Sequence, residues 1–226
     1  MKIGILEQIS SVGGGGPGPG PDPGPDGYAE LSDFTDSIDS SGGSTRQFRC
    51  PNNIAAGDII LAFFSGQAQQ AALDSPPPAG WVLGNPYFAY KVALGNEDGS
   101  MVSFNLFDSS SLRMICTMCR AAPAALTPKV SSVAEASDTT IDPSSFSPSF
   151  GAGNNLWISA LWSYGSSNTL ISRPSGYSLY PHAYVGVDNS GWIQLVAKRS
   201  TLATENPGPW TMDRSDSLRT MTVAVR

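Results

Sequence analysis

The sequence predicts an all-β protein built as an antiparallel, jelly-roll-like β-sandwich. Gly (24) and Pro (18) together make up nearly a fifth of the 226 residues, and only 14% are charged, against roughly 25% in typical soluble domains. Turn signals recur at close spacing between short apolar or alternating segments. Few segments keep a helical period for more than two turns. These features favour many short strands joined by tight turns.

The first twelve residues predict an anchor peptide that docks on another protein. Residues 1–12 (MKIGILEQISSV) are too short to form a core but carry five aliphatic side chains: Ile3, Ile5, Leu6, Ile9 and Val12. A frayed terminus is the alternative, because first residues are often poorly ordered. The segment lacks the apolar region and cleavage site of a signal peptide. No run in the chain reaches the roughly 18 apolar residues of a membrane span.

Residues 13–27 (GGGGPGPGPDPGPDG) predict an extended tether. Their glycines do not keep the third-position repeat of collagen. Proline fixes φ and removes an N–H donor, which favours polyproline-like geometry at about 3.1 Å per residue, or roughly 45 Å over the segment. The tether can therefore span a distance similar to the size of a domain.

The net charge of −6 arises entirely within residues 1–45, where one base, Lys2, accompanies seven acids. Residues 46–226 carry the remaining twelve acids and twelve bases and are neutral. We interpret residues 28–45 as an acidic connecting segment and residues 46–226 as the β-sandwich domain. A neutral body with an acidic lead has no basic surface for a phosphate backbone, so nucleic-acid binding is not expected. The seven acids are Glu7, Asp22, Asp26, Glu30, Asp33, Asp36 and Asp39.

Two segments predict central strands that are covered on both faces. Residues 59–65 (IILAFFS) and 156–163 (LWISALWS) are apolar at successive positions rather than at alternate ones. Residues 219–226 (RTMTVAVR) alternate and predict a closing strand. Turns are predicted at residues 76–80, 95–99, 173–176, 188–191 and 205–209.

Two parts of the sandwich domain resemble each other in the same order, which predicts an internal duplication. The matches join Ile60, Ala62 and Ser65 to Ile158, Ala160 and Ser163; residues 78–81 (PAGW) to 174–177 (PSGY); Lys91 to Lys198; and residues 111–113 with Arg120 to residues 217–219 with Arg226. We therefore expect two modules, residues 46–120 and 140–226, packed face to face and related by an approximate two-fold axis. Residues 121–139 would cross between them.

No common catalytic constellation is apparent, so we expect neither an enzyme nor a bound cofactor or metal. His182 is the only histidine, and no GxSxG motif supplies a nucleophile for it. We interpret it as a surface loop residue. The GGGG run is followed by prolines and cannot form a phosphate-binding turn that enters a helix.

Three cysteines form an odd set, which favours reduced thiols over a disulfide framework. Cys116 and Cys119 have the CxxC spacing that can hold zinc or support redox chemistry. In a strand, however, residues i and i+3 point to opposite faces and cannot share a metal ion. We interpret both as core residues. A zinc site would also require Cys50 and His182.

Carboxylates and aromatic residues leave two further possibilities open. The pairs Glu97–Asp98 and Asp213–Asp216 lie at predicted turns, where Asp caps the backbone; a glycosidase pair is the alternative. Trp157 and Trp162 lie in a predicted central strand and are expected in the core. The aromatic residues that adjoin turns are candidates for glycan or receptor contact, although Trp81 and Tyr177 could instead be structural wedges. These candidates are Trp81, Tyr177, Trp192 and Trp210.

The segments AGDIILA (residues 56–62), AGW (79–81) and FAYKVA (88–93) resemble a pattern in β-sandwich domains of tailed-phage virion proteins. That pattern combines an AGD-aliphatic strand, a PxGW turn and a YYKxA strand, and the resemblance covers about residues 46–226. Such domains occur in capsid decoration proteins, head fibres and minor tail proteins. The resemblance implies a structural or attachment role, commonly in trimers, with an N-terminal peptide docked on the particle.

These features predict a non-enzymatic structural component of a tailed-phage particle, a capsid decoration, head-fibre or tail accessory protein. It would bind other virion proteins through residues 1–27 and form a homo-oligomer, with a trimer as the candidate. We expect synthesis in the host cytoplasm, location in the virion and no membrane insertion. A receptor- or glycan-binding attachment protein on the same fold is the first alternative. An envelope-degrading glycan hydrolase is the second.

Overall fold

Antiparallel strands joined by turns make up the described part of the chain. The computed structural model describes residues 27–40, 43–66, 73–106, 114–122, 127–163, 169–185 and 191–226, and these residues contain no helix. The predicted all-β antiparallel sandwich is thereby confirmed. The strands are β1 (Glu30–Asp39), β2 (Thr45–Arg49), β3 (Ile59–Gly66), β4 (Trp81–Asn85), β5 (Phe88–Val92), β6 (Met101–Asn105), β7 (Met114–Ala122), β8 (Lys129–Val130), β9 (Ala134–Ile141), β10 (Asn155–Ser163), β11 (Leu170–Ser172), β12 (Leu179–Val185), β13 (Trp192–Ser200) and β14 (Trp210–Val225).

Two large sheets repeat one order of strands. The first sheet has five strands in the order β1-β7-β3-β5-β4. The second has seven, of which five repeat that order as β9-β14-β10-β13-β12, while β8 and β11 also pair with β14. Strands β2 and β6 form a separate two-stranded sheet.

The two large sheets confirm the predicted duplication, because their corresponding strands occupy corresponding places. The sheets face each other with β1 opposite β12, where Asp36 Oδ1 lies 3.0 Å from His182 Nε2. At the other side β4 lies opposite β8, and a Cβ on Gly84 would come within 3.0 Å of Val130 Cγ1. The repeated strand order and this facing arrangement agree with the predicted approximate two-fold relation.

The residue matches within the duplication need two corrections. Ile60 faces the outer core of the first module, whereas Ile158 faces the layer between the modules. Since side chains alternate along a strand, the predicted match is one residue out. Lys91 lies opposite Ile60 and Lys198 opposite Trp157, so Trp157 is the counterpart of Ile60. On their other sides, Ile60 pairs with Arg120 and Trp157 pairs with Ala224, so the predicted match of Arg120 to Arg226 is also wrong. Residues 111–113 lie outside the described residues.

The predicted boundaries of the modules are also too narrow. Residues 28–45 are not a connecting segment, because β1 lies within them and pairs with β7 from Glu30↔Ala122 to Asp39↔Met114. Likewise β9, at residues 134–141, falls in the predicted crossover and pairs with β14. Both strands are polar and alternate weakly, so they lack the apolar pattern that indicates a strand.

Three apolar layers alternate with the sheets. The central layer lies between the two large sheets and takes Leu61 and Phe63 from β3 and Ile158 from β10. An outer layer in each module packs against the opposite face of its large sheet; Phe64 lies in the first and Trp157 in the second. Every residue of β3 and of β10 is buried, which confirms the prediction of strands covered on both faces.

The acids of β1 contact basic side chains of the sandwich. Glu30 pairs with Arg199, Asp33 lies 3.4 Å from Arg120 Nη1, Asp36 contacts His182, and Asp39 lies 3.6 Å from Arg46 Nη1. Arg120 also donates to Asp58 at 2.6 Å. The acidity of residues 28–45 is therefore used within the fold, and it gives no separate support for attachment.

We expect Arg120→Leu to lower the free energy of unfolding by about 3 to 5 kcal/mol. The Arg120 side chain is 5% exposed and that of Asp58 10%, and removal of one partner leaves a buried charge uncompensated. Chemical denaturation would measure the change. Arg214→Leu is the control, because Arg214 is 66% exposed and its loss should change stability by less than about 0.5 kcal/mol. Equal effects of the two substitutions would contradict the assignment.

Candidate functional site

The four aromatic residues predicted as glycan or receptor contacts are buried, so that prediction is wrong. Trp81 is 6% exposed, Tyr177 and Trp192 are each 2% exposed, and Trp210 is fully buried. Trp210 Nε1 donates to Ser159 Oγ at 2.9 Å within the core. A stacking platform for sugars requires exposed ring faces, which these residues do not provide.

Trp81 and Tyr177 follow equivalent turns, as the alternative of structural wedges predicts. The Trp81 N–H donates to the Pro78 carbonyl at 3.0 Å, and the Tyr177 N–H donates to the Pro174 carbonyl at 3.2 Å. The glycines before them have φ values of 81° and 78°, the left-handed conformation that a type II turn requires at its third residue. Trp157 and Trp162 are buried as predicted.

A lysine–glutamate pair fixes the same turn in each module, and the pairing of these residues was not predicted from the sequence. Lys91 Nζ lies 2.9 Å from Glu97 Oε1, and Lys198 Nζ lies 2.9 Å from Glu205 Oε1. Both glutamates are 4% exposed. A Cβ on Gly80 would come within 3.2 Å of the Lys91 side chain. The duplicated match, extended six or seven residues beyond each lysine, would have revealed this pair.

The Glu97 carboxylate also receives hydrogen bonds from the turn that follows β5. The N–H groups of Leu94 and Gly95 each donate to it at 2.9 Å, and that of Asn96 donates at 3.1 Å. Burial raises the pKa of Glu97, but the bonds from Leu94 and Lys91 lower it by more, and the pKa lies below its ordinary value. This carboxylate is therefore a structural cap and no candidate general acid.

His182 is not a surface loop residue, because it lies in β12 and contacts the other module. Its ring stacks on Phe34 with 4.4 Å between centroids. Asp36 Oδ1 lies 3.0 Å from His182 Nε2 and accepts a hydrogen bond from Thr117 Oγ1 at 2.7 Å. The carboxylate thus lies between histidine and hydroxyl, whereas a hydrolase triad needs the histidine between the other two.

The three cysteines are buried and free. Cys116 faces the outer layer of the first module and Cys119 faces the central layer, as predicted from strand geometry. Burial raises the pKa of both thiols, which removes the thiolate that redox or metal chemistry requires. Within the described residues, no three His, Cys, Asp or Glu side chains are grouped so as to hold a metal ion.

The remaining carboxylate pairs also serve the backbone. Asp98 accepts from the Ile54 N–H at 2.6 Å, and Asp213 accepts from the Thr169 N–H at 2.7 Å. Asp216 accepts from the Ser217 N–H at 2.7 Å and from the Ser163 hydroxyl. These bonds hold loops and strand ends, as expected of Asp at turns.

A cleft of about 310 Å³ opens where the first sheet ends beside the second module. Strands β4 and β5 form one wall, and residues 128–130 and 146–149 form the other. Val82, on the β4 wall, is 45% exposed. The five proposed docking residues (Ile3, Ile5, Leu6, Ile9 and Val12) lie outside the described residues. The cleft is therefore one candidate binding feature within the described part of the chain.

Neither a protein-family model nor a curated protein matches this chain. In the described ranges, no helix has the length and apolar character to cross a membrane.

We expect Glu97→Gln to lower the free energy of unfolding at pH 7 by about 2 kcal/mol, because it weakens several bonds to a buried charge. A carboxyl whose pKa is lowered by folding stabilises the protein above its ordinary pKa and loses that contribution as the pH falls. The wild type should therefore lose stability between about pH 5 and pH 3, and the variant should lose less. Denaturation at a series of pH values tests this. Asp142→Asn, at an exposed position, is the control, and a variant as pH-sensitive as the wild type would contradict the role of Glu97.

We expect the thiols of the native protein to react with a thiol reagent far more slowly than those of the unfolded chain, since all three are buried. Absorbance on addition of the reagent measures the rate, and denaturant should release three thiols per chain. Ser175→Cys places a thiol at an exposed turn position and should add one fast-reacting group. Fast reaction of the wild type without denaturant would count against the burial of the thiols.

Proposed function

We propose that this protein is a non-enzymatic structural component of a tailed-phage particle, a capsid decoration, head-fibre or tail accessory protein that residues 1–12 attach to the virion. One observation carries the proposal: β1, the first strand after the tether, pairs with β7 of the first module and forms side-chain contacts with the second. In this proposal several copies form a homo-oligomer, with the trimer as its candidate form. The protein is made in the host cytoplasm and functions in the virion.

The tether joins the body at a well-fixed point. Gly27 lies against Asn154, whose Nδ2 would be 3.2 Å from a Cβ on Gly27, and the Tyr28 ring lies 5.8 Å from the Arg199 guanidinium. Glu30 then pairs with Arg199 of the second module, while Asp33 pairs with Arg120 of the first. A protein held on a particle by its N-terminus needs its first strand secured in this way.

The hydrogen bonds of β1 can resist a load on the tether. The strand pairs with β7 over residues 30–32 and 35–39, with an irregularity between Ser32 and Thr35, and inter-strand bonds of an antiparallel pair lie perpendicular to the strands. A pull along the strand axis therefore loads all of these bonds together and not one after another. This geometry suits a body that is held through its N-terminal strand.

Among the described residues, the side chains of the types used in catalysis or metal binding make contacts within the fold. This supports a structural role. His182 and Asp36 bridge the modules, the cysteines lie in cores, and the turn carboxylates bind backbone N–H groups. Asp33 and Asp58 both form ion pairs with Arg120, so these two carboxylates also serve to hold the fold together.

Deletion of residues 1–26 should abolish incorporation into particles while the sandwich remains folded, because it keeps Gly27, Tyr28 and β1. The assay complements a phage that lacks the gene and measures the protein in purified particles by immunoblot. The full-length double variant Ile3→Asp/Ile5→Asp should give the same loss while it remains folded, as shown by a cooperative melting transition. Deletion of residues 1–40 is the folding control, since it removes β1 and should destabilise the protein. Normal incorporation of the folded 1–26 deletion would falsify the proposal.

A further inference from the structure

Strand β4 is an open edge of the first large sheet. Among the described residues it pairs with β5 alone, so its other side presents backbone N–H and C=O groups without a strand partner. Its sequence, WVLGN, contains neither a charged residue nor a proline. Proteins normally protect such edges with charges, prolines or a covering segment, because an exposed edge recruits further strands.

The other outer strands of the large sheets are protected in different ways. Strand β11 (LIS) has neither charge nor proline but is only three residues long, and a very short edge offers little to a further strand. Strand β1 contains four acids and β9 contains Glu135 and Asp138. Strand β12, the counterpart of β4 in the duplication, contains Pro181, which has no N–H to donate. The two modules therefore differ at this place, and among the described residues β4 is the longer of the two outer strands without charge or proline.

The cleft adds side-chain pockets to this edge. Val82, Leu83 and Tyr90 line one wall, and Val130 and Phe146 line the other. Lys129 is the charged residue in the lining that the structure describes. An extended peptide on β4 would therefore gain main-chain bonds from the edge and apolar contacts for alternate side chains from the cleft, as in β-strand addition.

The tether leaves the body within reach of this cleft. Gly27 lies against Asn154, and the cleft residue Ser149 is five residues from Asn154, at most roughly 18 Å of extended chain. The segment between the anchor peptide and Gly27 can span roughly 43 Å in polyproline-like geometry. Residues 1–12 can therefore reach β4 of their own chain with length to spare.

We propose that, in protein free of the particle, residues 1–12 lie along β4 of the same chain and fill the cleft. The inference rests on the proposed function only in taking residues 1–12 as a docking peptide. Particle binding then competes with this internal site, so the apolar peptide and the open edge protect each other before assembly.

The chemistry of the peptide fits this edge. Ile3 and Ile5 are two residues apart, so in a strand they point to the same face and can enter the apolar cleft. Glu7 is the single acid of the peptide, and it complements Lys129. A tether of this length gives the peptide a local concentration in the millimolar range at its own chain, far above that of a second copy in dilute solution. The same chain is therefore the favoured source.

Disulfide trapping in the full-length protein tests the contact. Ile3→Cys or Ile5→Cys would each be combined with Val82→Cys, or with Val92→Cys as the matched control. Val82 and Val92 are 45% and 46% exposed, but Val92 lies in β5 and does not line the cleft. Mild oxidation followed by non-reducing electrophoresis and peptide mapping would show which pairs join, and whether they join within one chain.

We expect a crosslink within the monomer at Val82→Cys that forms several-fold faster than at Val92→Cys. Covalent dimers that increase with protein concentration would overturn the proposal in favour of a second copy as the source of the strand. Equal crosslinking rates at the two positions would show that the peptide meets both by random collision. That result would also overturn the proposal.

Hydrogen exchange gives a second test that does not depend on the placement of one thiol. In dilute full-length wild type, the amides of residues 81–85 should exchange several-fold more slowly than in the full-length variant Ile3→Asp/Ile5→Asp. Absence of both this difference and a crosslink would refute the internal site. Particle incorporation is measured separately. If the internal contact is absent but residues 1–12 attach the protein to particles, the proposed function holds and the internal site is refuted. If the internal contact forms but attachment does not depend on residues 1–12, the internal site holds and the proposed function is refuted.

Discussion

Apolar side chains from both large sheets, among them Phe63, Ile158 and Val223, form a continuous layer between the modules. This layer gives β3 and β10 their second buried face, and it sets β1 opposite β12 and β4 opposite β8. The ion pairs that cross between modules, the place where the tether joins and the cleft beside β4 all depend on that alignment. Displacement of one sheet over the other would separate each of these contacts.

The polar contacts around this layer differ in weight. The Arg120–Asp58 pair is buried on both sides, so breaking it is costly even if forming it contributes little. Glu30, by contrast, is 41% exposed in its pair with Arg199, and pairs of that kind contribute only about 0 to 1 kcal/mol. In the Lys91–Glu97 and Lys198–Glu205 pairs the glutamate is buried, so loss of either lysine should also be costly. The ion pair between Glu30 and Arg199, at the edge of the central layer, thus helps to align the two modules. The lysine–glutamate pairs within each module fix its turns.

Sequence patterns identified the strands whose environment is simple. Residues 59–65 and 156–163 are apolar throughout because both faces meet a core, and the Pro-x-Gly turns require glycine at one position, so both features are visible in the sequence. Strand β1 was missed because its acids look like a solvated segment until their partners, up to 169 residues away, are known. The same holds for Trp192 and Trp210, which adjoin turns yet point inward. The local sequence pattern indicates that a face of a strand is buried, but it does not indicate which distant element covers that face.

The pseudo-two-fold layer has a consequence for how the chain folds and assembles. A single module on its own would expose one whole apolar sheet face, and two such modules on separate chains would associate as an isologous dimer. The stability of that dimer would depend on protein concentration. With both modules on one chain, the same contact becomes intramolecular and holds at any dilution. The inner faces of both sheets are thereby buried within one chain. Contacts with further copies must therefore use other surfaces of the sandwich.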